Sequence, residues 1–507
     1  MKNSELFLLI NKINLIAVAI LLVLYQNLPA YSQTNSSTEK NQNNYPAIFK
    51  ITPESDNNIK RLMLKDVVVL VLANNTEIKN AYLDRTVQKG ELAVAEDKFN
   101  PDFTPTLSLS TNKLGNTTNI NGNLDAKVSM KIPTGAEISF GWVGNTRTNN
   151  GNNNISNINN NNFDQNLQLS FRQPLLRGAG ITVNKASIEL ARISEQNNII
   201  NLKRTLADTI TTSITVYRQL LEAQERVKIE ELSFKNAQES LEVTKALIAA
   251  GRIAPVEIVQ EEANIANLRV SLLAAQNNLE SSKLALLSIL DIDKNTKIEA
   301  AEIPTVERVQ LDLENLKQTA IKNQPLYLQS LLDLETNKIG LMLAKNEKRW
   351  DLSLNVDLSD GSNQSNDARA GLAITRTIGD LSLQQGVEAA RINLEKSENS
   401  FQDTNQNLDI QLQDKIRNIN LSFSQLELAR QATQLSKRLL DIEQQKQKLG
   451  GNIRIIDIVK FRNDLVQAQN AELSATIQYL NALTELDQFL GTTLQTWQVN
   501  IDVNNRE

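Results

Sequence analysis

Residues 188–250 contain neither proline nor glycine, while Ile199, Leu202, Leu206, Ile210, Ile214, Tyr217 and Leu221 recur at three-and-four spacing. That pattern predicts one helix of about 95 Å at 1.5 Å per residue. A helix so long cannot be wrapped by a small core, so it needs partner helices along its length. One follows at once. Gly251 stops the first helix, Pro255 stands where a second begins, and Ile258, Ile265, Leu268, Leu272, Ala275, Leu279 and Leu286 form a heptad seam from about Val256 to Leu290. Two such helices joined by a turn of a few residues make an antiparallel coiled-coil hairpin.

The same order of elements then recurs. Gly251-Arg252-Ile253-Ala254-Pro255-Val256-Glu257-Ile258-Val259 aligns at an offset of 200 with Gly451-Asn452-Ile453-Arg454-Ile455-Ile456-Asp457-Ile458-Val459. Heptads alone would match the apolar positions, but not the coincident glycine and acidic positions, so the chain is read as an internal duplication. Residues 59–315 form the first repeat: a helix to Phe99 broken at Asn74-Asn75, strands within 103–173, and the hairpin 188–290. Residues 316–499 form the second: a helix from Leu316 to Arg349, strands within 351–378, and the hairpin 384–490. A short tail, 500–507, follows.

Between helices the period changes from 3.6 to 2. Leu107 and Leu109 alternate with serines; Leu124, Ala126, Val128 and Met130 alternate with polar residues; Ile138, Phe140 and Trp142 do the same, as do Leu167, Leu169 and Phe171. Pro133-Thr134-Gly135 predicts a tight turn, and Asn145–Asn162, mostly asparagine, reads as a solvated loop. In the second repeat only two such segments stand out, around Leu352–Val356 and Leu372–Ile374. The extra pair around Pro133 is either two more membrane strands or an extended excursion outside the bilayer.

Lys2 and Lys12 precede the apolar run Leu15–Leu24, and Ala30-Tyr31-Ser32 supplies small residues at a cleavage site before Gln33, so residues 1–32 are expected to be an export signal. Residues 33–58, polar and rich in Asn, Ser and Thr, are expected to be a disordered lead-in. The chain has no Cys and no His and a net charge of −5. Thiol chemistry, imidazole metal sites and a Ser-His-Asp triad are thereby excluded, and nothing favours nucleic acid. With no nucleotide-binding loop either, an enzyme is not expected, and neither cofactor nor metal is implied. After the signal no apolar stretch is long enough for a spanning helix, so entry into a bilayer would have to use β-strands.

Helix, strands, long helix, Gly-marked turn and returning helix, given twice, resemble the TolC-like outer-membrane efflux proteins. The resemblance runs from about 59 to 499. It is carried by Phe99-Asn100-Pro101, Gln173-Pro174-Leu175-Leu176-Arg177-Gly178, the two Gly-started tips, and Leu483 to Gly491. It implies a mainly α fold with β: duplicated helical hairpins forming a trimeric α-barrel in the periplasm, and strands contributing to a shared β-barrel in outer-membrane lipid. Four strands from each of three chains would close twelve. The implied function is an exit duct of a tripartite efflux pump or type I secretion system. Its partners would be a periplasmic adaptor (membrane fusion protein) and an inner-membrane transporter in a Gram-negative-type bacterium. The competing classes are a periplasmic adaptor, which would normally carry one hairpin, and a secreted coiled-coil scaffold, which would lack the strands.

By the same resemblance the hairpin ends form the periplasmic gate and adaptor-docking surface: Gly251, Arg252, Glu257, Gly451, Arg454, Asp457 and Lys460. Three copies of Asp457 near an axis would repel and favour cations, whereas Lys460 stands where a second acidic residue is expected and could pair with Asp457 instead. Asp291-Ile292-Asp293-Lys294-Asn295 with Glu302 echoes a calcium loop, but Thr296 replaces the glycine such a loop needs, so a solvated connection is expected. Trp142, Phe140, Phe171 and Trp350 are candidates for a membrane-interface belt.

Overall fold

A computed structural model describes residues 59–114, 117–150, 162–301, 306–362, 364–448 and 455–501. The expected signal and lead-in, most of the asparagine loop, the second tip at 449–454, and all but the start of the tail lie outside these residues.

The first repeat opens with strand β1 (Lys60–Leu62), then helices α1 (Leu64–Asn74) and α2 (Thr76–Glu96). The sequence pattern gives helix from residue 59; instead Lys60–Leu62 pair in parallel with β6 (Ile298–Ala300), so the chain segments before and after the first hairpin meet. The helix breaks at Asn75, whose side chain accepts from the backbone N–H groups of Glu77 and Ile78 and so caps α2. Strands β2 (Asp102–Leu114), β3 (Thr117–Lys131), β4 (Glu137–Asn150) and β5 (Asn162–Pro174) follow. Then come the long helices α3 (Ile181–Ala249) and α4 (Glu257–Ile289).

The second repeat supplies α5 (Leu313–Asn323), α6 (Pro325–Glu347), β7 (Asp351–Gly361), β8 (Gln364–Thr375), α7 (Ser382–Lys448), α8 (Ile455–Leu490) and the short α9 (Thr493–Thr496). The single helix expected from Leu316 to Arg349 is in fact two. Pro325 lacks the N–H an unbroken helix needs and sits at the first position of α6, while the Gln324 side chain accepts from Tyr327 N–H. This break is the counterpart of the one at Asn75. Both breaks abut the end of a hairpin: Asn75 Nδ2 donates to the Ile289 carbonyl at 2.9 Å, and Asn323 backs onto Gly491.

Two hydrophobic cores are present among the described residues. Val67, Val68 and Val71 of α1 pack with Leu206, Ile210, Ile214 and Leu220 of α3 and Leu286, Leu287 and Leu290 at the end of α4. In the second, Leu408, Leu412, Ile419 and Leu426 of α7 meet Ala475, Tyr479, Leu486 and Leu490. A buried tyrosine ties each core to a chain segment crossing over it: Tyr217 Oη donates to the Leu62 carbonyl at 2.9 Å, and Tyr479 Oη to that of Glu307 at 3.0 Å. None of the described helices is long and apolar enough to cross a membrane.

The six strands β2-β3-β4-β5-β7-β8 form one antiparallel meander in that order. The pair around Pro133 is therefore part of the sheet, which among the described residues has six strands where twelve in a trimer required four from each chain. Period-two alternation does not reveal which strands share a sheet; pairing does.

Candidate functional site: the hairpin tips and the seam between hairpins

The first tip is built by a helix stop. The Gly251 N–H donates to the Ile248 carbonyl and the Arg252 N–H to that of Leu247, both at 2.9 Å, with Gly251 at φ 68°. This is the paired capping arrangement that a left-handed residue makes at a helix end. Arg252 is exposed, Val256 precedes the first turn of α4, and Glu257 opens that helix half-buried, where a negative charge suits the N-terminal end of the dipole. Asp457 and Lys460 occupy the first two turns of α8, the former half-buried and the latter exposed. Gly451 and Arg454 lie outside the described residues, so the second turn itself is not seen.

Above the tips, the two hairpins of the chain are joined by a polar seam that the sequence pattern does not announce. At its upper end Gln488 Nε2 donates to Asp208 Oδ1 at 2.7 Å, and Arg218 Nη1 donates to Asn481 Oδ1 at 3.0 Å and Thr484 Oγ1 at 2.8 Å. Below these, Ser474 Oγ donates to Glu222 Oε1 at 2.6 Å and Asn470 Nδ2 to Glu230 Oε1 at 3.2 Å. Toward the tip Asn463 Nδ2 approaches Asn264 Oδ1 at 3.4 Å, while within the first hairpin Ser240 Oγ donates to Glu261 Oε1 at 2.8 Å.

The lower seam is under-satisfied. Glu261 and Arg462 are buried, yet Glu261 Oε2, Asn264 Nδ2, Asn470 Oδ1 and both Nε and Nη1 of Arg462 lack hydrogen-bond partners. Burial pushes the Arg462 guanidinium below its ordinary pKa, and the nearby Glu261 carboxylate pulls it back up. Hydrogen bonding between the hairpins is thus fuller at the upper end of the seam than toward the tip. Charged residues spaced along a helix read as a solvated face in sequence, and only the packing of α8 against α3 and α4 turns them inward.

At the other end of the helices, the segment Gln173–Gly180 ties the repeats together. The backbone N–H groups of Leu175 and Arg177 donate to the carbonyls of Leu352 and Trp350, and the Gly178 N–H to Asn346 Oδ1 at 2.9 Å. Arg177 Nη2 lies 2.7 Å from Asp351 Oδ2, which Arg172 Nη2 also approaches at 3.4 Å. Lys98, just before the sheet, donates to the Asn184 carbonyl and Ser187 Oγ; burial, with the positive charge of Lys131, holds its ammonium below the ordinary range. Arg376 stacks 4.8 Å over the Trp350 ring at the same rim.

The loop that echoes a calcium site spends its carboxylates locally. Asp291 sits at φ 51° and accepts from Thr76 Oγ1, and Asp293 Oδ1 accepts from the Asn295 N–H, while Glu302 lies outside the described residues.

Comparison with known proteins agrees with these features. The sequence profile of the family described as outer membrane efflux protein matches residues 67–291. The chain is 25% identical over 296 residues to the cobalt-zinc-cadmium resistance protein CzcC of Cupriavidus metallidurans, an alignment spanning 55% of this chain and 66% of that relative's length. Its fold is that of the Campylobacter jejuni CmeC outer membrane channel, with TM-score 0.63 and 16% identity over 87% of this chain and 90% of the other. The Vibrio cholerae outer membrane protein VceC gives TM-score 0.63 at 13% identity, over 84% of this chain and 96% of the other. Profile, relative and fold point the same way: residues 67–291 match the outer membrane efflux protein family, and the chain shares the fold of solved outer membrane channels.

Proposed function

We propose that the chain is the outer-membrane exit duct of a tripartite efflux pump or type I secretion system, a passive conduit and not an enzyme. The observation that carries this is the joining of two surfaces in one chain. One is a six-stranded sheet with an apolar face; the other is a pair of helical hairpins whose polar residues meet in a seam. The sheet suits outer-membrane lipid, and the hairpins suit the aqueous periplasm.

The duct is a homotrimer. One chain encloses no lumen, and α7 leaves Leu421, Leu428 and Leu435, seven residues apart, more than half exposed at 55%, 65% and 58%. Heptad-spaced leucines in water mark a coiled-coil surface awaiting another helix. The periplasmic gate and adaptor-docking surface is formed by Gly251, Arg252, Glu257, Gly451, Arg454, Asp457 and Lys460. A periplasmic adaptor and an inner-membrane transporter supply the energy from outside the chain. Residues 59–315 and 316–499 act as the two repeats around the lumen, with the export signal 1–32 removed.

The test is the native mass of the protein extracted from outer membrane in mild detergent, followed by planar-bilayer conductance. A trimer whose conductance rises on Asp457→Ala supports the duct and its gate. A monomer, or recovery only from soluble periplasm, leaves the scaffold or adaptor class.

A further inference from the structure

Resting on the trimeric reading, we propose that β8 of one copy pairs with β2 of the next, so that three copies close a barrel of eighteen strands. The strands keep one register across the sheet. Phe103 pairs with Val128, Val128 with Phe140, Phe140 with Leu169, Leu169 with Leu358, and Leu358 with Ala368. Paired residues share a face, so one apolar row crosses all six strands. A second runs Met130–Ile138–Phe171–Val356–Ala370. An excursion outside the bilayer would have no reason to keep β2 and β3 in phase with the other four.

Length and anchorage agree. The strands run from 11 residues in β7 to 15 in β3, against about 9–11 needed to span a bilayer. The β3–β4 turn is fixed at the rim where the helices begin, the Gly180 N–H donating to the Thr134 carbonyl at 3.0 Å. Hence β3 and β4 start from the same level as β5.

The two edges are open and apolar. On β2, Phe103, Leu107 and Leu109 are 65%, 71% and 76% exposed; on β8, Leu372 and Ile374 are 70% and 62% exposed. Edge strands of this kind invite pairing with another chain. An even-numbered meander leaves β2 and β8 antiparallel, so a copy placed alongside pairs in the sense used throughout the sheet, and the ring closes without a parallel joint.

The chain contains no cysteine, so engineered pairs report without background. Leu107→Cys is combined in turn with Ala368→Cys, Ala370→Cys, Leu372→Cys and Ile374→Cys. Phe140→Cys on β4 is combined with the same four. Each protein is oxidised in outer membrane, and its native mass is measured in parallel. Covalent trimers from a β2–β8 pair, with none from β4–β8, are expected. Trimers that cross-link only between β4 and β8 would overturn the proposal, leaving a twelve-stranded barrel with β2–β3 outside it. Trimers that cross-link through neither set would overturn it too. Monomers throughout would instead remove the trimeric reading on which it rests.

Discussion

Glu261 and Arg462 give opposite signs for single and paired substitution, which makes the lower seam a sharp place to test the gate. In Glu261→Ala the buried Arg462 loses the one charge that offsets its desolvation, while its Nε and Nη1 remain without partners. The two make no direct ion pair among the described residues, so the attraction lost is smaller than in a broken buried pair, about 1–3 kcal/mol. At 1.4 kcal/mol per factor of ten, the tip should then open about 10–10² times more often, provided most of the cost falls on the closed arrangement. The double variant Glu261→Leu/Arg462→Met removes both charges and keeps the volume. Such replacement is neutral or stabilising by about 1–4 kcal/mol, so the tip should be held shut. Amide hydrogen exchange over 257–264 and 455–463 reads local opening directly, and leak current of the closed channel in a planar bilayer reads its consequence. Exchange should accelerate in the single variant and slow in the double, with the current following. If the double variant exchanges as fast as the single, Glu261 and Arg462 do not hold the tip, and the account of the seam is wrong.

Three further outcomes follow from local geometry. Gly251 and Gly491 share left-handed backbone, at φ 68° and 72°, but a Cβ on Gly251 meets open space whereas one on Gly491 falls 2.3 Å from the Asn323 carbonyl. Gly251→Ala should cost about 1–2 kcal/mol and Gly491→Ala more than about 3 kcal/mol, compared by denaturant unfolding in detergent. Tyr479→Phe should cost about 1–3 kcal/mol by the same assay, because the Glu307 carbonyl loses its donor and the Val309 N–H its acceptor. Burial raises the Asp487 carboxyl above its ordinary pKa, with the Thr492 and Thr496 hydroxyls opposing the shift. The folded state then holds more protons than the unfolded one just above the ordinary carboxylate range, so this group's contribution to stability falls as pH rises through that window. Asp487→Asn should stabilise the protein at neutral pH and flatten that part of the pH profile; an unchanged profile would discard the assignment.

Much of this architecture is written in periods. The unbroken run to Ala250 gives α3, and the offset of 200 between the tips gives the duplication. The misses have physical causes. Pro325 carries its own signal for a helix start, outweighed in the pattern by apolar spacing that continues across it. The number of strands per sheet depends on pairings such as Leu169 with Leu358, which no local pattern contains. Glu261 and Arg462 look like surface charges because their environment is made by two helices some two hundred residues apart in sequence. The seam is therefore tertiary, whereas the first tip is marked locally by Gly251.

The pairing of β5 with β7 has a consequence for how the protein is made. Asn166 meets Gly361 and Pro174 meets Ser353, and a complete helical hairpin lies between the two strands in the chain. The four-stranded ladder of β2 to β5 is local and can form as soon as its own residues are available. It must then wait, with β5 as a bare margin, until the second half has emerged and closed a loop of nearly two hundred residues. Contacts of such separation form slowly, and a waiting strand margin is prone to stick to the wrong neighbour. On the proposed duct reading this interval falls between export and membrane insertion, so the half-built sheet is the stage at which a periplasmic chaperone has most to protect.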